Sequence, residues 1–211
     1  MSNAGGLILK MNKAWFDEAE IALEWYMNKK EIQGIKTNIQ HARTESMVYL
    51  PGFTLEKTGF FNKNLNFKYD ATFPFLTGKF IDKSYYRYTF DGQKYRSPNG
   101  QGEVGYDPHD SENKQREIRQ RLNLNYRFND IHSVNWNTVA KFSKLNPNDP
   151  LASDHAGYNI GDFPSKTYKM INGLTHELKL FDGKTVNSLS AKHYYINSKI
   201  AATGLGQISL H

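Results

Sequence analysis

The stretch "RLNLNYRFNDIHSVNWNTVAKFS", residues 121–143, alternates apolar and polar side chains on both sides of a short polar break. One set holds Leu122, Leu124, Tyr126 and Phe128, then Val134, Trp136, Ala140 and Phe142. The other holds Arg121, Asn123, Asn125 and Arg127, then Ser133, Asn135, Asn137 and Lys141. Period two is the mark of a β-strand, whose successive side chains point to opposite faces. The stretch predicts two strands joined by a turn at Asn129-Asp130-Ile131. Their sheet has one greasy face and one strongly polar face.

The pattern recurs outward from there. Ala19, Ile21, Leu23, Trp25 and Met27 oppose Glu18, Glu20, Glu24 and Asn28. Met47, Tyr49, Phe53 and Leu55 share a parity. Leu65, Phe67, Tyr69, Ala71, Phe73 and Phe75 alternate with Asn66, Lys68, Asp70, Thr72 and Pro74. Pro74 lacks a ladder donor, so this strand is expected to bend or fray there. Tyr168, Met170, Leu174, His176, Leu178 and Leu180 continue the series; Leu189, Ala191 and Tyr195 follow, and Leu7, Leu9 and Met11 open it. About eight strands result, near 6–13, 18–30, 45–58, 64–81, 116–128, 132–143, 166–180 and 184–198.

Short and long connections alternate between these strands. The short ones are 14–17, 59–63, 129–131 and 181–183, the last containing Asp182-Gly183, which supplies the positive φ of a tight turn. The long ones, 31–44, 82–115 and 144–165, are polar and rich in Asn, Asp, Gly and Pro. Aromatics flank the short turns: Trp15, Phe16, Phe60, Phe61, Phe128 and Phe181. Others cluster at the far ends: Trp25, Tyr26, Tyr85, Tyr86, Tyr88, Tyr194 and Tyr195.

Composition narrows the setting. The 211 residues include no cysteine, which excludes disulfides and thiolate metal sites. Net charge is +6, but the basic residues fall on alternating strand positions or in loops, so no nucleic-acid partner is expected. No stretch reaches the roughly 18–20 apolar residues of a membrane helix. The N-terminal "MSNAGGLILK" lacks the basic region and long apolar core of a signal peptide. A membrane β-barrel gives no such signal, because only every second residue faces lipid.

Two settings fit alternating strands: a soluble or surface-attached β-sandwich that binds glycan or protein, and an outer-membrane barrel. Soluble strands cluster near five or six residues, whereas several here reach twelve, enough for tilted strands to cross a roughly 25 Å apolar band. The sorting of short turns to one end and long loops to the other is also that of outer-membrane barrels. Arg119, Arg121, Arg127, Lys68 and Asp70, with Glu18, Glu20 and Glu24, would face inward. So many charges call for a wet lumen rather than a packed one. That counts against a third reading, a complete small barrel such as an outer-membrane enzyme. The expected fold is all-β: one segment spanning 1–211, an antiparallel up-and-down arc of a larger barrel. Leu122, Leu124, Tyr126, Val134, Trp136, Phe67 and Phe73 would face lipid.

Several stretches resemble TonB-dependent outer-membrane receptors of the Bacteroidetes type. These are "MNKAWFDEAEIALEWYMNKKEIQG" at 11–34, "YRYTFDGQKY" at 86–95, "RLNLNYRFNDIHSVNWN" at 121–137 and "KLNPNDP" at 144–150. The resemblance covers most of 7–200. It implies a 22-stranded barrel closed by a plug domain, importing a siderophore, haem, cobalamin or glycan with energy from TonB. The chain shows no plug, TonB box or aromatic-ended closing strand, and is expected to be an internal piece. Its partners would then be outer-membrane lipid, the plug and remaining strands, TonB through that plug, and the small-molecule or glycan ligand.

Other motifs point to less. "GQGEVG" at 100–105 matches a dinucleotide fingerprint literally, but lacks the following helix and distal acid, and reads as loop glycines. Asn146, Asn148 and Asp149 are oxygen-rich enough for calcium, yet Leu151 stands where an EF-hand needs glycine, and a turn is the simpler reading. His109 and His155 lack the spacing of a metal site. No cofactor and no catalytic constellation is expected. Ligand contact is sought in "YYRYTFDGQKY", at Tyr85, Tyr86, Arg87, Tyr88 and Tyr95, since Tyr and Arg dominate recognition surfaces; the three strand-end tyrosines also suit an interfacial girdle.

Overall fold

The computed structural model describes residues 1–12, 15–33, 38–98, 100–104, 108–157 and 162–200, and the backbone alone of 201–202 and 206–210. Lys13 and Ala14 at the first expected turn, Gly105 of the glycine motif and residues 158–161 of the last long loop lie outside the described residues.

The chain is all-β with one short helix. In order run β1 (Ser2–Asn12), β2 (Glu18–Glu31), β3 (Arg43–Lys57), β4 (Leu65–Thr72), β5 (Phe75–Asp82), β6 (Tyr86–Tyr88), β7 (Lys94–Arg96), β8 (His109–Arg127), β9 (His132–Asn146), α1 (Pro150–Ala156), β10 (Ser165–Leu180), β11 (Thr185–Ala202) and β12 (Gly206–Leu210). Ten strands make one antiparallel sheet in which β4 and β5 share one place between β3 and β8, and every other neighbour in space is a neighbour along the chain, the small β6–β7 hairpin aside.

The expected break at Pro74 is present, since β4 ends at Thr72 and β5 begins at Phe75, but the register carries across it. β4 and β5 both pair with β3 and β8, and Gly52↔Thr72 and Tyr49↔Phe75 bracket two residues on each strand. No residue is inserted. Phe73 donates its amide to Pro51 O at 2.8 Å and Pro74 O accepts from Glu117 N at 2.9 Å. Two ladder bonds are missing there, the one Pro74 cannot donate toward Glu117 and the one Pro51 cannot donate toward Phe73.

The structure departs from the eight expected strands: the one at 64–81 is divided into β4 and β5, the 82–115 connection holds the β6–β7 hairpin, and three further differences follow. β8 begins at His109 rather than 116, pairing through to Asp82 of β5. Its first turns, "HDSENKQ", are polar on both faces and so carry no alternation to read. A helix, α1, interrupts the last long loop; Asp149 caps it by accepting Ala152 N, Pro150 opens it, and Gly157 closes it at φ +75°. The chain also gains a strand near its end: β12 pairs with β11 from Ser198↔Leu210 to Ala202↔Gly206. Five residues are too few for periodicity to reveal it.

Register fixes the slant of the sheet. One row of paired residues passes through Asn12, Glu18, Glu56, Lys68, Asn123, Asn137, Gly173 and Lys192. It starts at the last residue of β1 and the first of β2, at the short-turn end. It reaches β11 at Lys192, seven residues inside Thr185. The short turns thus climb about one residue per strand. With about 3.3 Å per residue and about 4.8 Å between strands, turns lying in one plane give a strand tilt of roughly 35°.

Register also sorts the faces, since paired residues share a side. Arg119, Arg121, Arg127, Lys68 and Asp70 fall on one face with Glu18, Glu20 and Glu24; Leu122, Leu124, Tyr126, Val134, Trp136, Phe67 and Phe73 fall on the other. The apolar face is uncovered: Leu9, Leu174 and Leu189 are each more than half exposed. Among the described residues the buried apolar side chains are Ala42, Ala71, Ala152, Pro74 and Pro108.

Candidate functional site

The polar face is a built electrostatic surface. Glu117, its side chain 1% exposed, accepts from Arg119 Nη2 at 2.5 Å and Lys141 Nζ at 2.7 Å. Lys10 pairs with Glu20 at 2.8 Å and Lys68 with Glu56 at 3.1 Å. Asn123 and Asn135 exchange side-chain amide bonds at 3.2 and 3.4 Å. Thr54 donates to Asp70 at 2.9 Å. Between Glu20, Glu24, Asp70, Arg119 and Arg121 this face cups a concavity of about 540 Å³. Polar groups matched this way remain compatible with water and with a polar ligand passing by.

At the long-loop end, two buried carboxylates tie separate loops together. Asp82, at the end of β5, is fully buried and accepts the amides of Glu103 at 2.7 Å and Val104 at 2.9 Å. Glu103, itself 2% exposed, accepts from His41 N at 2.7 Å and Ala42 N at 2.9 Å. The loop after β2 and the loop after β5 are thereby joined through side-chain acceptors. "GQGEVG" thus supplies a brace: Gly100 and Gly102 take φ of +93° and +102°, which L side chains rarely adopt, and this turn delivers Glu103.

The aromatic loop forms the β6–β7 hairpin, with Tyr86↔Arg96, Arg87↔Tyr95 and Tyr88↔Lys94 opposed. Its candidate residues divide. Arg87 donates from Nε to Gly102 O at 3.1 Å, and the Tyr88 ring lies 6.0 Å from His41, so both anchor the hairpin to the braced loops. Tyr85, Tyr86 and Tyr95 remain exposed, with Phe90 beside them at the turn. Lys94 Nζ sits 3.7 Å from the centre of the Tyr86 ring. An aromatic surface on a braced hairpin can stack on a sugar ring or another flat apolar group.

The oxygen-rich turn around Asp149 serves the chain's own backbone and side chains. Besides capping α1, Asp149 accepts Asp110 N at 3.0 Å and lies 2.8 Å from His109 Nδ1. That interaction fastens the helix to the start of β8.

At the short-turn end, aromatic rings gather near the apolar face. Phe60 stacks on Phe67 at 4.7 Å, Phe16 lies 6.4 Å from Phe67, and Tyr126 meets Phe128 edge-on at 4.8 Å. Asn129 Oδ1 accepts from Ile131 N and His132 N, closing the turn between β8 and β9. Phe181 and Asp182, each at φ +54°, and Gly183 at +84° form the turn between β10 and β11; the positive φ at Phe181 was not anticipated. At the far end the expected girdle splits. Trp25 and Tyr195 fall on the apolar face, but Tyr26 and Tyr194 fall on the polar one, where Tyr26 Oη donates to Glu24 at 2.6 Å.

The apolar face also carries polar groups, of which only His176 stood in the sequence series. Thr138, Asn172 and His193 share one row, and Thr138 donates to Asn172 at 2.8 Å. The His132 and His176 rings stack at 5.4 Å. Each interrupts the alternation at a single position, too briefly to change its period.

No protein-family profile, curated protein or solved structure matches the chain.

Proposed function

We propose that this chain is part of the wall of an outer-membrane barrel, in a TonB-dependent receptor that imports a siderophore, haem, cobalamin or glycan. The observation that carries the reading is the one-residue stagger per strand combined with two opposed faces. A roughly 35° tilt lies within the range of membrane barrels. An uncovered apolar face is costly in water and favourable against lipid. A soluble sandwich would need a second sheet over that face, and the described strands form a single sheet beside the separate β6–β7 hairpin.

In this reading the apolar set, from Phe67 and Phe73 to Leu124 and Trp136, meets lipid. The ion-paired face lines the lumen and meets the plug, through which TonB acts. The braced loops and the β6–β7 hairpin stand outside the cell and contact the ligand through Tyr85, Tyr86 and Tyr95.

The absence of native cysteine makes the test direct. In intact outer membranes, Lys68→Cys and Asn135→Cys are expected to react with a water-soluble maleimide, and Phe67→Cys and Leu124→Cys only with a lipid-soluble one. Equal labelling of both sets by the water-soluble reagent would sink the wall assignment. Deleting the gene is expected to abolish TonB-energised uptake of one nutrient class; unchanged uptake of all four removes the transport half of the proposal.

A further inference from the structure

Register brings together four cations that the sequence keeps far apart. Arg116 of β8 pairs with Lys144 of β9, Lys144 with Lys166 of β10, and Lys166 with Lys199 of β11. Arg116 also opposes Phe75 of β5, on the apolar face. All four therefore lie in one row on that face, at the long-loop end of their strands. Directly toward the short turns, the next row on the same face reads Ile118, Phe142 and Tyr168. A line of positive charge thus borders the exposed apolar belt.

The row is unlike the other strand cations of its own face: Lys29 and Arg43 hold Glu45, and Lys57 holds Asp17. Among the described residues no carboxylate lies within 4.0 Å of Arg116, Lys144, Lys166 or Lys199. The near acid on their face, Glu112, is engaged by Lys79 at 3.2 Å and Lys114 at 2.6 Å. Arg116, Lys166 and Lys199 are exposed and Lys144 half-buried. Like charges directly opposite on neighbouring strands destabilise a sheet. Three such pairs in succession gain nothing for the fold, and no carboxylate among the described residues neutralises them.

We propose that this row binds the phosphates of lipid headgroups in the leaflet around the long-loop end. The proposal rests on the membrane-wall reading. Cations above an apolar belt match a lipid in both parts: acyl chains against Ile118, Phe142 and Tyr168, phosphates against the row. Four neighbouring strands span about 14 Å, room for more than one phosphate. Lysine serves as a point charge for phosphate and arginine as a two-pronged donor. A free phosphate would satisfy the charge but leave the belt uncovered.

The test extracts the protein from outer membranes in mild detergent and measures retained phosphorylated lipid by mass spectrometry. Arg116→Gln, Lys144→Gln, Lys166→Gln and Lys199→Gln are made singly and together. Each cation near an anionic surface strengthens attraction roughly fivefold, so each single variant is expected to lose about that factor, and the quadruple variant nearly all retained phosphorylated lipid, with neutral lipid unchanged. Because the substitutions relieve like-charge pairs, the variants are expected to assemble and to resist alkaline extraction like the wild type; the singles serve should the quadruple misassemble. Excess inorganic phosphate is expected to leave the lipid in place. Equal phosphorylated lipid on wild type and assembled variants overturns the proposal while leaving the wall reading intact. Displacement by inorganic phosphate alone reassigns the row to a free anion. Loss of an acidic co-purifying protein, with lipid unchanged, reassigns it to a protein partner. Release of the wild type itself by alkaline extraction overturns both readings.

Discussion

Asp82 accepts the backbone amide of Glu103 at 2.7 Å, and Glu103 in turn accepts the amides of His41 and Ala42. Two buried acids in series hold one long loop to another. Among the described residues neither has a cation as its partner; each is satisfied by backbone N–H groups, as carboxylates can be in protein interiors.

Glu103→Ala leaves buried amides at His41 and Ala42 without acceptors. The local cost is about 1–3 kcal/mol. Hydrogen exchange is expected to accelerate at residues 41–42 and along the β6–β7 hairpin. Heat-modifiable barrel assembly is expected to stay intact, since the ladder is untouched. Unchanged exchange at His41 and Ala42 would refute the brace.

Opposite faces should answer differently to the same charge. Leu124→Arg and Phe73→Arg are expected to cost about 2–4 kcal/mol at mid-depth, read as loss of the folded band in outer-membrane preparations. Asn123→Arg, one residue away on the ion-paired face, is expected to assemble normally. Matching behaviour of the Leu124 and Asn123 variants would contradict the assignment of faces.

Two glycines make a matched pair. An added Cβ at Gly52 would stand 2.9 Å from Ala71 O, a backbone atom that the ladder holds in place. At Gly78 it would meet nothing within 4 Å. Gly52→Ala is therefore expected to destabilise by about 1–3 kcal/mol, and Gly78→Ala to be neutral or slightly stabilising through lower chain entropy in the unfolded state. Urea unfolding in detergent distinguishes them.

Asp17, in the turn between β1 and β2, accepts Thr58 N at 2.6 Å and Lys57 Nζ at 2.9 Å, reaching across to the next turn. The Thr58 bond first, then Lys57, hold its carboxyl below the usual Asp range. A depressed pKa contributes stability that is complete above the unfolded value, near 3.9, and fades as pH falls through the folded one. The acid limb of the pH–stability curve is expected to be shallower in Asp17→Asn, which is less stable than the wild type near neutrality and converges with it at low pH. An identical acid limb would show that this turn-to-turn tie does not contribute.

The faces of the sheet were legible because burial against one medium imposes period two, and that period survives in "RLNLNYRF" and "LNFKYDATF" alike. "HDSENKQ" escaped because backbone pairing needs no apolar face. The brace escaped because the Glu103 acceptor and the Ala42 donor lie 61 residues apart, a distance no local pattern spans. The cation row escaped for a related reason: Arg116, Lys144, Lys166 and Lys199 are ordinary strand cations until register aligns them. Asp149 was seen as an oxygen-rich turn residue; its part as a cap depended on a seven-residue helix too short to announce itself.

The strictly sequential pairing has a genealogical consequence. Each strand leans only on the two that flank it in the gene. Duplicating or deleting one hairpin shifts the circumference by two strands and leaves every surviving pair aligned. Losing a single strand would reverse the direction of all that follow and exchange turn ends for loop ends. A sheet of this design can widen or narrow over evolutionary time, but only by even steps.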